Sequence, residues 1–305
     1  MRLLSYGDFG RERAGFLDGD RVFDLEAAMA RIGCMRPVSD TRLFLEQQEW
    51  RATLERAWDA RASIPSVAID NVRLGAPVPV PRKLLIAGAN TYTHIAEAGA
   101  VLKDPNPPRK PMILAKATSS LCGCADDVIH PPETTKLDYE VELGVVIGRT
   151  ARRIKEPDVK SYVAGFSVIN EMSARDQQLA EHESNPFFRV HFMGKSFDTF
   201  NPMGPHLVTV DEFEWNKPLR MKTSVDGQIR QENDTRDLVY GVEQLVSYIT
   251  QFMTLFPGDV IATGSPAGVA CFMNPPQFLK PGQTVRCEIE GIGFVENRIT
   301  AERLS

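Results

Sequence analysis

The chain has 305 residues, of which 43% are hydrophobic and 25% charged, and its formal net charge is -5. These values are typical of a globular protein that buries a substantial core, and they provide no basic surface for nucleic acid or an anionic membrane. We find no signal-peptide pattern and no run of about 18 apolar residues that could span a bilayer. The five cysteines are scattered, which favours reduced thiols. We therefore expect a cytoplasmic protein whose partners are small molecules.

Residues 1–75 predict a small α+β domain. Apolar and polar residues alternate over 13–25 around the turn Asp18-Gly19-Asp20, which predicts a β-hairpin. Residues 40–62 are good helix formers, with Ser39 or Asp40 available as the N-cap. The apolar stripe of this helix is spaced for the core and consists of Trp50, Leu54 and Trp58. A Pro-rich run at 77–81 then marks the connection to the rest of the chain.

Residues 76–305 predict a larger, mostly β domain. Short runs rich in β-branched residues are separated by Gly and Pro turns, at 84–87, 112–114, 141–147, 163–169, 219–225, 260–262 and 285–289. Helical patterns are fewer: the clearest covers 242–255, and another begins at Thr93. The chain is therefore predicted to be an α+β protein that is mostly β.

Two glutamates lie two residues apart in the segment LDYEVELGVVIG at 137–148. Glu140 and Glu142 would point to the same face of one continuous strand. Alternating glutamates usually form a solvated sheet face, but the apolar run Val145-Val146-Ile147 indicates an interior strand. Two parallel carboxylates there repel each other unless a cation lies between them. Asp138 shares this face, and we interpret it as a supporting or surface group rather than a ligand.

A third carboxylate is available in the block VINEMSARD. Glu171 in this block follows another apolar strand. A set of Glu140, Glu142 and Glu171, with no His or Cys beside it, favours Mg²⁺ or Mn²⁺ over zinc. We therefore predict a Mg²⁺ or Mn²⁺ centre at these glutamates, completed by water and substrate.

Five blocks of the sequence, taken in order, form a specific pattern. They are GANTYTHIAEAG at 88–99, LDYEVELGVVIG at 137–148, VINEMSARD at 168–176, MGKSFDTFNPMGP at 193–205 and TGSPAGV at 263–269. Together they resemble the fumarylacetoacetate hydrolase family, over roughly the last three quarters of the chain. The resemblance implies a catalytic domain with a mixed β-sheet roll and a small N-terminal accessory domain, as in the longer bacterial members. It also implies a divalent cation, a 2-oxo acid substrate and a homodimer.

The resemblance implies a role for each matched residue. Glu140 and Glu142 match the two strand glutamates that hold the metal. Glu171 falls where the family usually has an aspartate after Asn, so its ligand arm is one methylene longer. Lys195 matches a catalytic lysine that lies close to the metal and the bound oxo acid. Arg175 and Gln178 match polar positions that contact the substrate.

Two further blocks add an acid-base pair and a turn. His94 and Glu97 match a dyad on the family's mobile lid, and a spacing of three puts them on one face of a short helix, where Glu97 can orient His94. The alternative is an exposed pair on a surface helix. The turn Thr263-Gly264-Ser265-Pro266 resembles the family's TGTP-like motif, so Thr263 and Gly264 are predicted to bind a substrate carboxylate. Alone, such a pattern indicates only a turn.

These motifs imply a reaction through a metal-stabilised enolate and leave its type open. The first choice is hydrolysis of a carbon-carbon bond in a 3-acylpyruvate or related 2,4-dioxo acid, because a His-Glu pair is available to activate water. Decarboxylation of oxaloacetate, or isomerisation and decarboxylation in aromatic catabolism, is the close alternative. A third hypothesis is a non-catalytic small-molecule-binding protein, which the retained dyad argues against. The loop 185–188, flanked by His182 and His191, is a further candidate for substrate contact.

Overall fold

The computed structural model describes residues 1–34, 36, 38–102, 106–179, 191–215 and 217–303. Its helices are α1 (Leu25–Arg31), α2 (Thr41–Leu45), α3 (Trp50–Asp59), α4 (Tyr92–Leu102), α5 (Arg175–Gln178), α6 (His191–Lys195) and α7 (Val242–Phe252). Its strands are β1 (Arg2–Tyr6), β2 (Arg13–Asp18), β3 (Arg21–Asp24), β4 (Ser66–Ala68), β5 (Leu74–Gly75), β6 (Leu84–Gly88), β7 (Met112–Lys116), β8 (Leu121–Cys122), β9 (Val128–His130), β10 (Leu137–Asp138), β11 (Val141–Ile147), β12 (Val163–Asn170), β13 (Ser173–Ala174), β14 (Asn201–Thr209), β15 (Arg220–Val225), β16 (Gln228–Asp234), β17 (Val260–Ala262), β18 (Thr284–Ile289) and β19 (Gly293–Ala301).

A long mixed sheet forms the centre of the molecule. Its strands follow the order β4-β3-β2-β1-β14-β12-β11-β17-β6-β7, with β17 and β6 parallel and the other pairs antiparallel. A second sheet, of order β16-β15-β18-β19-β9, packs against it through β12 and β14. The predicted α+β, mostly β fold with mixed sheets is confirmed. No helix in the described ranges is long and apolar enough to cross a membrane.

The N-terminal segment continues the central sheet. Arg2 pairs with Val208, so the hairpin predicted around Asp18-Gly19-Asp20 extends the sheet at β14. One buried core joins Phe16 and Leu54 to strand residues of the larger part such as Val146. The division at residue 75 stays a prediction, and what the structure shows is a shared sheet over a shared core.

The helix predicted over 40–62 is wrong in its continuity. Asp40 caps α2 by accepting a hydrogen bond from Leu43 N–H (2.9 Å), but α2 ends at Leu45 and a second helix, α3, begins at Trp50. The indole N–H of Trp50 donates to Gly148 O (3.1 Å). This contact with the end of β11 in the central sheet fixes the position at which α3 begins. Local helix propensity alone does not determine that position.

The continuous strand predicted over 137–148 is also interrupted. Leu137 and Asp138 pair with β13, whereas β11 begins at Val141 and pairs with β12. Between them, Glu140 O accepts a hydrogen bond from Glu171 N–H (2.8 Å). Glu140 immediately precedes β11 and Glu171 immediately follows β12. Because Val141 pairs with Asn170, the two glutamates lie side by side at the same end of this strand pair.

Candidate metal centre and active site

Glu140, Glu142 and Glu171 form a buried carboxylate cluster. One oxygen from each side chain can be chosen so that all three lie within 4.8 Å of one another. The three residues are between 0% and 7% exposed. Glu142 Oε2 accepts a hydrogen bond from Gly264 N–H (2.6 Å), while its Oε1 is buried with no hydrogen-bond partner among the described residues. A buried carboxylate oxygen left in this state is strongly disfavoured unless it binds a cation or water.

The charges around the cluster act differently on two of its carboxylates. Burial opposes ionisation of Glu140, but the positive charges of Lys195 and Arg175 outweigh it and lower the pKa of Glu140 to about 2. For Glu142, burial and the negative charges of Glu140 and Glu171 raise the pKa well above its usual range. Glu142 is thus the carboxylate whose charge the protein balances least, and an added cation would balance it.

Two buried lysines hold Glu171. Lys116 Nζ donates to Glu171 Oε1 (2.6 Å), and Lys195 Nζ donates to Glu171 Oε2. Lys116 also donates to the carbonyl oxygens of Met172 (3.1 Å) and Phe200 (2.7 Å), which joins the chain just after β12 to the chain just before β14. Each carboxylate oxygen has two lone-pair sites, so Glu171 can bind a cation while it accepts these bonds. Lys116 is not among the residues predicted from the sequence, although a lysine at the end of an apolar strand was an available signal.

Arg175 connects the cluster to the substrate side of the site. Its side chain donates to Asp138 Oδ2 (2.8 Å), to Gln178 Oε1 (2.9 Å) and to Glu140 Oε1. Asp138 is fully buried and also accepts from the backbone N–H groups of Ala270 (2.7 Å) and Cys271 (3.1 Å). Of the two interpretations of Asp138, the surface group is therefore wrong, whereas the supporting group agrees with the structure, because this carboxylate is the buried partner of Arg175.

The predicted dyad is present on α4. His94 Nδ1 lies 2.7 Å from Glu97 Oε1, and Glu97 Oε2 accepts a hydrogen bond from Gly268 N–H (2.9 Å). The His94 ring packs on Phe272, with ring centroids 5.7 Å apart. Both side chains of the dyad are mostly buried, at 16% and 19% exposed, which argues against the alternative of an exposed surface pair.

One cavity of about 230 Å³ brings most of the predicted residues together. The predicted residues on its wall are His94, Glu140, Glu142, Arg175, Gln178, Lys195 and Gly264. Glu97 and Glu171 support this wall from behind, through His94 and Lys195. Thr263 does not line the cavity: it is fully buried, and the neighbouring Ser265 lies on the wall instead. Its role in substrate binding stays a prediction.

The loop at 185–188 and His182 lie outside the described residues. His191, at the start of α6, is described and lines the cavity, where its Nδ1 lies 3.3 Å from Gln178 Nε2. His191 therefore belongs to the lining of the candidate site, whereas the sequence left open whether it contacts the substrate.

The donor set fits a hard divalent cation. Among the described residues, the possible metal-ligand atoms of the cluster are all carboxylate oxygens, and Glu142 Oε1 is an oxygen that no described residue satisfies. Such oxygen-only sets suit Mg²⁺ and Mn²⁺, with water or substrate as the remaining ligands.

Comparison with known proteins identifies the family. The model of the fumarylacetoacetate (FAA) hydrolase C-terminal domain matches residues 83–300. The chain belongs to the fumarylacetoacetate hydrolase family. Among its relatives, the mitochondrial oxaloacetate tautomerase Fahd2a of Rattus norvegicus is 40% identical over 256 residues, which cover 84% of this chain and 78% of that protein. A putative hydrolase of Burkholderia ambifaria is 41% identical over 295 residues, 96% of each chain.

Solved structures of family members share the fold over the full chain. A putative HpcE protein from Mycobacterium smegmatis has a TM-score of 0.85 at 33% identity, covering 99% of this chain and 100% of that one. Maleylpyruvate hydrolase from Sphingobium sp. SYK-6, in complex with manganese(II) and pyruvate, has a TM-score of 0.78 at 26% identity and the same coverage. The named relatives of this chain thus include a tautomerase and a hydrolase.

Proposed function

We propose that this protein is a divalent-metal-dependent enzyme that cleaves a carbon-carbon bond in a 3-acylpyruvate or related 2,4-dioxo acid. The observation that carries the proposal is that the carboxylates Glu140 and Glu142 and the dyad residue His94 line one cavity. A carboxylate cluster alone would also suit a binding protein. A buried acid-base pair beside it is useful only when a proton is moved.

Glu140, Glu142 and Glu171 would hold Mg²⁺ or Mn²⁺ at this cavity. When bound there, the cation supplies Lewis acidity that stabilises negative charge on the oxygens of a 2-oxo acid. The manganese in the maleylpyruvate hydrolase structure supports testing Mn²⁺ beside Mg²⁺.

The residues around the cluster have distinct tasks in such a cleavage. Because Glu97 engages His94 at Nδ1, Nε2 is the nitrogen that can accept a proton from a water attacking the distal carbonyl. Within the described residues, side chains engage three of the five N–H groups of Arg175, and the other two would serve a substrate carboxylate. Lys195 adds positive charge where the departing enolate forms. The nitrogen of His94 would then return its proton to the products.

The test is a mass-resolved product assay on acetylpyruvate, fumarylpyruvate and oxaloacetate, with Mg²⁺, with Mn²⁺ and with EDTA. Metal-dependent release of pyruvate and a free carboxylic acid from a dioxo acid supports the proposal. Metal-dependent binding without any turnover would support the non-catalytic alternative instead.

A second candidate is keto-enol tautomerisation of oxaloacetate. The observation that favours it is the 40% identity with an oxaloacetate tautomerase over 84% of this chain. The same dyad could carry a proton between the substrate carbon and oxygen with no water attack. Tautomerisation changes the amount of the ultraviolet-absorbing enol and leaves the substrate mass unchanged. Decarboxylation instead releases carbon dioxide and pyruvate.

The homodimer expected from the family resemblance stays a prediction. Size-exclusion chromatography with light scattering tests it directly, because the monomer mass is 34.0 kDa.

A further inference from the structure

Three hydrogen bonds attach the loop 265–268 to helix α4, which carries the dyad, and to Thr91 just before it. The hydroxyl of Thr91 donates to Ser265 O (2.5 Å), Ala267 N–H donates to Thr93 Oγ1 (3.1 Å), and Gly268 N–H donates to Glu97 Oε2 (2.9 Å). Thr93 and Glu97 are four residues apart, so their side chains lie on the same face of α4. The loop thus contacts the dyad directly at Glu97 and anchors the first turn of its helix at Thr93.

Thr93 is also bound from a distant part of the chain. Its backbone N–H donates to Asp237 Oδ1 (3.1 Å), and its hydroxyl donates to Asp237 Oδ2. Asn233 Nδ2 donates to the same hydroxyl (3.3 Å). Asp237 ends a short 3-10 helix that follows β16 and lies 144 residues from Thr93 in the sequence. The Thr93 side chain therefore joins α4, the loop 265–268 and the end of β16.

The Asp237 carboxylate does for α4 what an N-cap residue normally does. The first N–H groups of a helix have no acceptor within the helix, and a side-chain oxygen of the preceding residue usually serves them. The residue that precedes α4 is Thr91, but its hydroxyl donates to Ser265 O and accepts no hydrogen bond from the first N–H groups of α4 among the described residues. Asp237 supplies the acceptor for Thr93 N–H in its place, and its negative charge is favourable at the positive end of the helix dipole.

We infer that Thr93 and Asp237 are positioning residues for the His94–Glu97 dyad. They hold the first turn of α4 against the loop 265–268, so that Gly268 can bind Glu97 and Glu97 can orient His94 towards the cavity. The inference rests on the proposed function, in which this dyad moves a proton. Neither residue touches the carboxylate cluster, so their loss should act on turnover and leave metal binding unchanged.

The test compares Thr93→Val with Thr93→Ser. Valine keeps the β-branched shape and removes the hydroxyl, whereas serine keeps the hydroxyl. For Thr93→Val we expect kcat to fall on the order of tenfold to a hundredfold, as for a misplaced catalytic group, with KM changed by less than about threefold. Amide hydrogen exchange over residues 92–99 should be on the order of tenfold faster, because the first turn loses the hydroxyl bonds that hold it to Asp237, Asn233 and the loop 265–268. Thr93→Ser should have kcat and amide exchange close to those of the wild type. The affinity for Mn²⁺, measured by calorimetry, should match the wild type in Thr93→Val and in Thr93→Ser.

Two results would overturn the inference. One is a Thr93→Val protein with wild-type exchange in α4 and wild-type kcat. The other is a loss of kcat that is matched by an equal loss of Mn²⁺ affinity, which would indicate general damage to the site. If wild-type protein turns over no dioxo acid and no oxaloacetate, the proposed function fails, whereas the exchange of α4 still decides whether Thr93 holds the helix.

A second pair of variants covers the case in which Thr93→Val does not fold. Asp237→Asn keeps the shape of the side chain, leaves one acceptor oxygen for the two Thr93 donors and removes the charge. It should therefore change α4 exchange and kcat in the same direction as Thr93→Val. Asp70→Asn is its matched control, because Asp70 is an exposed aspartate in another short 3-10 helix, Ile69–Asn71, in the N-terminal part of the chain. Equal effects of Asp237→Asn and Asp70→Asn would contradict the inference.

Discussion

Glu142 provides the most direct test of the metal centre, because it forms no ion pair among the described residues and has one unpaired oxygen. Glu142→Gln keeps an acceptor for Gly264 N–H and removes the negative charge. The three oxygens lie within 4.8 Å of one another, and at that separation two like charges repel by about 3.5 kcal/mol at an effective dielectric constant of about 20. A proton on Glu142 in the wild type would relieve part of this repulsion. We therefore expect the metal-free variant to be at least as stable as the metal-free wild type, with a gain on the order of 3 kcal/mol where Glu142 is ionised.

The assay is urea unfolding in EDTA and in Mn²⁺, followed by turnover of the active substrate. The wild type should gain stability with Mn²⁺ by mass action, and Glu142→Gln should gain little and lose turnover. Glu140→Gln is the matched control: it removes a carboxylate that pairs with Arg175, so it should lower the free energy of unfolding. A Glu142→Gln protein that keeps its Mn²⁺-dependent stabilisation and activity would refute the proposed metal centre.

Three further predictions concern other parts of the molecule. His94→Ala should lower kcat by on the order of 10²–10⁴ and leave Mn²⁺ affinity in calorimetry unchanged, and an equal loss of both would place His94 among the ligands. Asp138→Asn weakens the hold on Arg175 and should raise KM on the order of tenfold in steady-state kinetics; an unchanged KM would contradict this role. Burial and the charge of Arg2 lower the pKa of His206 from its ordinary value of 6.5 to about 4. Between these values the unfolded chain binds a proton that the folded protein does not, so stability falls with falling pH by about 3 kcal/mol. Urea titrations of His206→Phe should show a shallower fall over this pH range, and equal pH profiles would contradict the argument.

The sequence predicted secondary structure best where a single local pattern, such as an unbroken apolar run, determines the element. The run over 141–147 forms β11 with the predicted bounds, because an unbroken apolar segment has few alternatives to an interior strand. The grouping of the three glutamates followed from the same reasoning and is present in the structure. The pattern failed at Tyr139 and Glu140, because alternation of polar and apolar residues continues there although the strand does not.

The residues that support the site could not be found from local pattern. Lys116 reaches Glu171 from a different strand, and Asp237 reaches Thr93 across 144 residues of sequence. Such contacts depend on how strands are ordered in the sheet, which periodicity does not encode. Asp138 was visible in the sequence, but its burial depends on the guanidinium of Arg175 lying beside it.

The pairing of β1 with β14 has a consequence for synthesis of the protein. Arg2 leaves the ribosome about 200 residues before its sheet partner Val208. At translation rates of about 5–20 residues per second, the first hairpin waits roughly 10–40 s for that partner. During this time one edge of β1 has no neighbouring strand from β14, and an unpaired edge invites pairing with other chains. The nascent chain is therefore most exposed to aggregation before β14 emerges, and a ribosome-bound chaperone would protect it most in that interval.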